Sequence, residues 1–288
     1  MRSHHLLGAG LFALATLIVG YAVLGPLVLD VIHFRTSASG LDQIRGGDLA
    51  ALAVVAPVCA AVGALAWRGH PAAPVLALAP AIFAMYTYSQ LVLANEYLRI
   101  PGNVELFFPL LLVMFWLAAA LTVRSVGLVR ATPAPPWSRR LERGCGVLLV
   151  VIAAVVALGL HLPTLVAAMS GNGAAYRDAP TAFWVVKFYD LGLVVPGALV
   201  VGIGLLRRRI GARTPASAIL GGYVLLGWSV AGMAWTMLVS GDPDGSAVQA
   251  VVMTAISAAG SVFAWFLYRP LFRTDAPASL TPAPAGAR

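Results

Sequence analysis

The chain has 288 residues, 60% of them hydrophobic and only 10% charged, with a mean hydropathy of +0.88. A soluble domain carries about 25% charged residues, so this chain could not cover its own surface in water, and composition assigns it to the membrane. The net charge of +8 comes almost wholly from arginine in short segments beside apolar runs, a pattern of orientation signals that excludes a nucleic-acid-binding face.

A spanning helix needs about 20 mainly apolar residues. Eight stretches qualify: Leu6–Leu29, Asp48–Trp67, Pro74–Leu93, Leu106–Val123, Gly146–Met169, Phe183–Leu206, Ala218–Val239 and Ala247–Leu267. The first follows Arg2 and two histidines, as a signal peptide would, but its apolar part is too long and no small-residue cleavage site closes it. It is read as an uncleaved span. The fold class is therefore all-α, a polytopic bundle of eight transmembrane helices.

Arginine sets the orientation. One side holds Arg2, Arg68, the cluster from Arg124 to Arg143, Arg207 to Arg209, Arg213, Arg269, Arg273 and Arg288. The other holds Arg35, Arg45, Arg99 and Arg177, together with most of the acids. The positive-inside rule then puts both termini in the cytoplasm of a bacterial cell, with the protein in its inner membrane. Cys59 and Cys145 lie in or beside spans, Cys145 towards the cytoplasm, and no CxxC pair is present, so neither a disulfide framework nor a metal motif is expected.

Mid-chain, "RATPAPPWSRRLER" (Arg130 to Arg143) reads as a proline- and arginine-rich cytoplasmic linker between two four-span halves. The expected domains are residues 1–129, the linker 130–144, residues 145–270, and a low-complexity, disordered tail 271–288. The halves look related. With Pro57 laid on Pro196, "DLAALAVVAPVCAAVGALAWRG" runs beside "KFYDLGLVVPGALVVGIGLLRRR" and Arg68 falls on Arg207 without a gap. A four-span repeat returns to its starting side, so the halves would be parallel, about a pseudo-twofold axis along the membrane normal.

The "YDLGLVVPGALVVGIGLLRRR" segment resembles a recurrent motif in a family of multi-spanning bacterial integral membrane proteins of no assigned activity. There an Asp-Leu-Gly and a proline precede an apolar run ending in basic residues. The first half fits too, with "WRG", the tyrosine-rich "MYTYSQ" of the third span, and Asn103 before the fourth. Where the family shows a basic pair in the first half, this chain has only Arg68 before Gly69. The resemblance implies an eight-helix architecture and brings no chemistry.

The polar residues of the outer layer are the candidates for function. Helical rise sets Asp190 about 25 Å above Arg207, just inside a hydrocarbon core of about 30 Å, and Lys187 at its boundary. The two are i and i+3 and can pair. The proline alignment gives Asp48 the place of Lys187, so the pseudo-axis would set these two opposite one another. The competing reading is capping, because Asp48 opens its predicted span and Asp190 lies near the start of its own. Asp30 and His33 are also i and i+3 at the end of the first span, and His161 lies near the outer boundary. Two histidines with carboxylates suggest a divalent metal, but no metal-ligand spacing supports it, and headgroup anchoring is the plainer reading. No cofactor is expected.

Pro26, Pro57, Pro163 and Pro196 interrupt spans, and proline-broken helices at matching places in two halves build transporter sites. Three function classes remain. A transporter-like protein would bind a small polar solute or ion in an outer cavity lined by Asp48, Lys187, Asp190, Asp30, His33 and His161. A non-catalytic membrane subunit or scaffold would use the same polar layer only to lock helices. An outer-face lipid-modifying enzyme is the third, without a visible nucleophile, metal quartet or phosphate clamp. In each case membrane lipid is the expected surrounding partner.

Overall fold

The computed structural model describes residues 2–130 and 135–272. Eight helices are long and apolar enough to cross a membrane: α1 (Arg2–Leu24), α2 (Ala38–Trp67), α3 (Ala73–Leu93), α4 (Val104–Val129), α5 (Arg139–Met169), α6 (Pro180–Leu206), α7 (Ile210–Ser240) and α8 (Ala247–Phe272). The described residues contain no strand. The expected all-α bundle is what the chain forms.

Several helices start earlier than hydropathy predicts, because their first turns are polar but capped. The Ser37 side chain accepts from the Gly40 N–H at 3.1 Å, and Ser138 accepts from Leu141 at 3.3 Å. Asp48 therefore lies ten residues inside α2 and caps nothing, which removes the capping reading for it. The second half of the expected 130–144 linker is likewise helical from Arg139, with Trp137 buried just before it. Phe272 ends α8, so the expected tail begins inside a helix, and its remainder from 273 lies outside the described residues.

Three prolines leave the same mark. Each lacks the N–H that an α-turn would use, and the residue before it instead donates five residues back: Ala56 to Ala51, Leu162 to Ala157, Val195 to Asp190. The results are wide π-turns at Ala51–Val55, Val155–His161 and Asp190–Val194. Pro26 acts differently, since α1 has already ended at Leu24. Asp30 lies beyond the helix with a left-handed φ of 50°, so Asp30 and His33 are not neighbours on a helical face.

Packing follows small residues, as expected where lipid is as apolar as leucine and helices associate by close contact. A Cβ on Gly8 of α1 would stand 2.8 Å from the Gly63 carbonyl oxygen of α2, and one on Gly202 of α6 would stand 3.0 Å from the Gly146 carbonyl oxygen of α5. Helix α7 crosses α2 at Gly46 and Gly232, where an added Cβ would fall 2.4 Å from the opposing backbone. Helix α3 pairs with α4, and α7 with α8. Buried leucines and aromatics from α1 to α4 form one core, including Leu11, Ile18, Phe83 and Met114, and Cys145, Leu149, Ala198 and Leu220 anchor a second. Outward faces stay apolar, with Trp116 and Val123 on α4, Leu158 on α5, and Ile256 and Trp265 on α8 all exposed, which suits contact with acyl chains.

The two ends of the bundle differ. At the terminal end, His5 stacks on Trp67 at 5.2 Å, Arg124 donates to the Ser3 carbonyl at 2.8 Å, and Arg213 donates to Glu142 at 2.6 Å. At the opposite, distal end the connections are interlaced. The Arg35 guanidinium pairs with Glu105, and its backbone N–H donates to Asn95 Oδ1 at 2.8 Å. Asn103 holds the Val31 carbonyl and the His33 N–H. The buried Glu96 carboxylate accepts from the Thr181 N–H at 2.6 Å, capping α6 from the α3–α4 connection.

Candidate functional site

Asp190 is buried where the π-turn of α6 begins. Lys187 and Asp190 are i and i+3 on the regular turn that precedes the π-turn, where the Asp190 N–H still donates to the Val186 carbonyl, yet the two side chains do not pair. Lys187 instead donates to Thr164 Oγ1 of α5 at 2.8 Å and lies 3.8 Å above the Phe183 ring. Asp190 takes partners from two other helices. One oxygen lies 2.8 Å from His161 Nε2, and the other accepts from the Tyr86 hydroxyl of α3 at 2.7 Å.

His161 is therefore no headgroup anchor. It is buried at the last position of the α5 π-turn, which opens the helix and directs the ring at α6. An imidazole on a carboxylate within a bundle is a unit able to hold or pass a proton, and a desolvated carboxylate there requires such partners. Tyr86 joins the unit to the rest of the molecule. Its ring lines a cavity of about 430 Å³ bounded by α3, α4, α6 and α7. Phe83, Phe115, Leu193 and Leu226 make the lining mainly apolar, while Ser89, Tyr189 and Tyr223 add hydroxyls.

The six residues expected to share one cavity fall into three places. Lys187, Asp190 and His161 belong to one polar cluster around α5 and α6. Asp48 lies apart on α2, beside Gly25 and the tyrosines Tyr21 and Tyr88, and Lys187 is not among the residues around its cavity. The expected opposition of Asp48 and Lys187 is thus not formed. Asp30 and His33 stay exposed in the distal connection, 3.8 Å from each other, and the protein partner of His161 is Asp190. Among the described residues no three His, Cys, Asp or Glu side chains are grouped to hold a metal ion.

Sequence reasoning missed Thr164 and Tyr223 and did not see Tyr86 as a carboxylate partner. The available signal was proline: Pro57, Pro163 and Pro196 each follow a π-turn, and both His161 and Asp190 lie on such turns, whereas Pro80 lies within the regular helix of α3. No family model, curated protein or solved structure matches the chain.

Proposed function

We propose that this chain is a transporter-like protein of the bacterial cytoplasmic membrane, with both termini inside, that holds a small solute between two parallel, pseudo-symmetric halves. The carrying observation is the double role of Tyr86: its ring faces the cavity between the halves, and its hydroxyl binds the buried Asp190–His161 unit. A solute entering there would touch the residue that senses the state of the carboxylate. The mainly apolar lining favours a solute with an apolar body and one or two polar groups over the small polar solute that the sequence suggests.

Repeated detail supports the two halves. Gly63 and Gly202, Arg68 and Arg207, and the starts of the π-turns at Ala51 and Asp190 are all related by the same shift of 139 residues as Pro57 and Pro196. Gly69 and Arg208, also 139 apart, both have left-handed φ, at 70° and 59°. Helix α1 packs on α2 as α5 packs on α6, and α3 on α4 as α7 on α8. Broken helices at matched positions around a cavity fit alternating access, and the resemblance to bacterial multi-spanning proteins belongs to the same reading.

Cysteine labelling tests it without knowing the solute. In a protein with Cys59 and Cys145 replaced, Ser89→Cys and Leu193→Cys should react with a water-soluble thiol reagent in sealed proteoliposomes, because a carrier must wet its cavity. The scaffold reading requires a dry bundle. Complete protection of both cysteines from both sides would support it and exclude transport.

A further inference from the structure

Asp190 is one of several buried carboxylates, and another, Asp48, takes no part in its unit. Asp48 is 4% exposed, and its Oδ2 has no hydrogen-bond partner. Its neighbours share the condition: the Tyr21 and Tyr88 hydroxyls are also buried and unpartnered, while the Gln90 side chain on the same cavity reaches towards the Tyr86 hydroxyl. Asp48 Oδ2 and these two hydroxyls thus lie together, which marks this region apart from the rest of the interior. An ionised carboxylate in that condition is costly unless something occupies the space beside it.

The space exists. Asp48 lines a cavity of about 160 Å³ towards the distal end, walled by α2, α3 and α7 with Phe34 and Thr36 from the α1–α2 connection. Its other polar groups are neutral, among them Thr87, Tyr88, Gln90 and Ser229. No lysine, arginine or histidine lines it. With Asp48 ionised, its balance is one negative charge among hydroxyl and amide groups.

We propose that this cavity binds a monovalent alkali cation, with sodium the best match, held by the Asp48 carboxylate and completed by Ser229, neighbouring neutral oxygens and water. Hard oxygen ligands select hard cations. A single carboxylate neutralises one positive charge, whereas a divalent ion would leave a net charge buried. At about 30 Å³ per water, the volume holds an ion with part of its hydration shell. The site is a separate cavity from the one beside Asp190, with Gln90 reaching from it towards Tyr86, and stands whether or not a solute binds there.

The test is thermal unfolding of the purified full-length protein in detergent, with choline chloride exchanged for sodium chloride at constant ionic strength. Sodium should raise the midpoint saturably, as a ligand of the folded state does. Asp48→Asn should remove the shift without unfolding the protein, since it deletes an unpaired charge. Asp190→Asn should retain it, which separates this site from the solute cavity. Ser229→Ala should raise the half-saturating sodium concentration about 3- to 10-fold, the loss of one ligand contact. A potassium preference with the same dependence on Asp48 would keep the proposal. Equal midpoints in choline and sodium, a shift only with calcium, or an undiminished sodium shift in Asp48→Asn would overturn it. Should Asp48→Asn fail to purify, an unchanged half-saturation in Ser229→Ala overturns it equally.

Discussion

His161 and Asp190 meet at 2.8 Å across α5 and α6, each on a π-turn that a proline two or six residues later imposes. The contact depends on both turns, because a regular helix would set either side chain at a different angle. Asp190 is thereby bound to His161 and Tyr86, and Lys187 to Thr164.

The first prediction follows from those partners. Asp190→Asn keeps the shape and the Tyr86 contact but removes the charge facing His161, so it should cost about 1–3 kcal/mol. Asp178→Asn, in the exposed distal connection, should stay within about 0.5 kcal/mol. Adding His161→Gln to Asp190→Asn should recover part of the loss, whereas adding Lys187→Gln should not. Thermal unfolding of the single and double variants measures this. Recovery through Lys187 instead would mean that the direct pair exists after all.

The fold was largely readable from the sequence because apolar length alone specifies a span, and all eight spans form. Errors lie at helix starts. Hydropathy cannot follow α2 into "ASGLDQIRGG" or α5 into "RRLER", although Ser37 and Ser138 were visible as caps. The polar layer was readable as a set, including Asp48, Asp190, His161 and the tyrosines of α3. Its pairings were not. A period of 3.6 residues places Asp190 near Lys187, but partners on other helices take each side chain, Thr164 for Lys187 and Tyr86 for Asp190, and the choice of Tyr86 is made by α3 packing on α6, about which a single helix carries no information.

A second prediction concerns Glu96. Its buried carboxylate accepts from the first turn of α6 and lies 3.9 Å from Arg99, so it ties the α3–α4 connection to α6. Glu96→Ala should cost about 1–3 kcal/mol, as for a lost hydrogen bond to a charged group. Proteolysis should become faster in the Ser170–Ala179 connection, where Arg99 also donates to the Arg177 carbonyl at 3.3 Å. Glu96→Gln retains an acceptor and should lose less. Equal losses for the two changes would show that the hydrogen bond to Thr181 does not matter.

Close packing between α2 and α7 gives the third. A Cβ at Gly46 would fall 2.4 Å from the Gly232 backbone, where there is no flexible side chain to yield. Gly46→Ala should therefore cost about 1–3 kcal/mol through overpacking. Gly20→Ala on α1 meets nothing within 4 Å and should be neutral or stabilise by up to about 1 kcal/mol through helix propensity. Comparing the melting of the two variants separates the crossing of α2 and α7 from a general intolerance of alanine for glycine.

The last prediction is about Arg208. Helices α2 and α6 end alike: Gly69 and Arg208 both adopt left-handed φ, and the next residues, His70 and Arg209, donate back to Leu65 and Gly204 at 2.9 Å each. Glycine occupies that conformation without a Cβ penalty, whereas another L-residue pays about 1–2 kcal/mol. Arg208→Gly should thus stabilise the protein by about 1 kcal/mol, less the entropy that glycine adds to the unfolded chain. Gly69→Arg should destabilise by a similar amount. Arg208 also lines a basic recess with Arg139, Arg140 and Arg143, so its loss relieves like-charge repulsion as well. Arg208→Ala isolates that second effect, because alanine removes the charge and keeps the strained Cβ. If Arg208→Ala stabilises as much as Arg208→Gly, charge rather than backbone strain is responsible, and the matching of the two helix ends carries no energetic meaning.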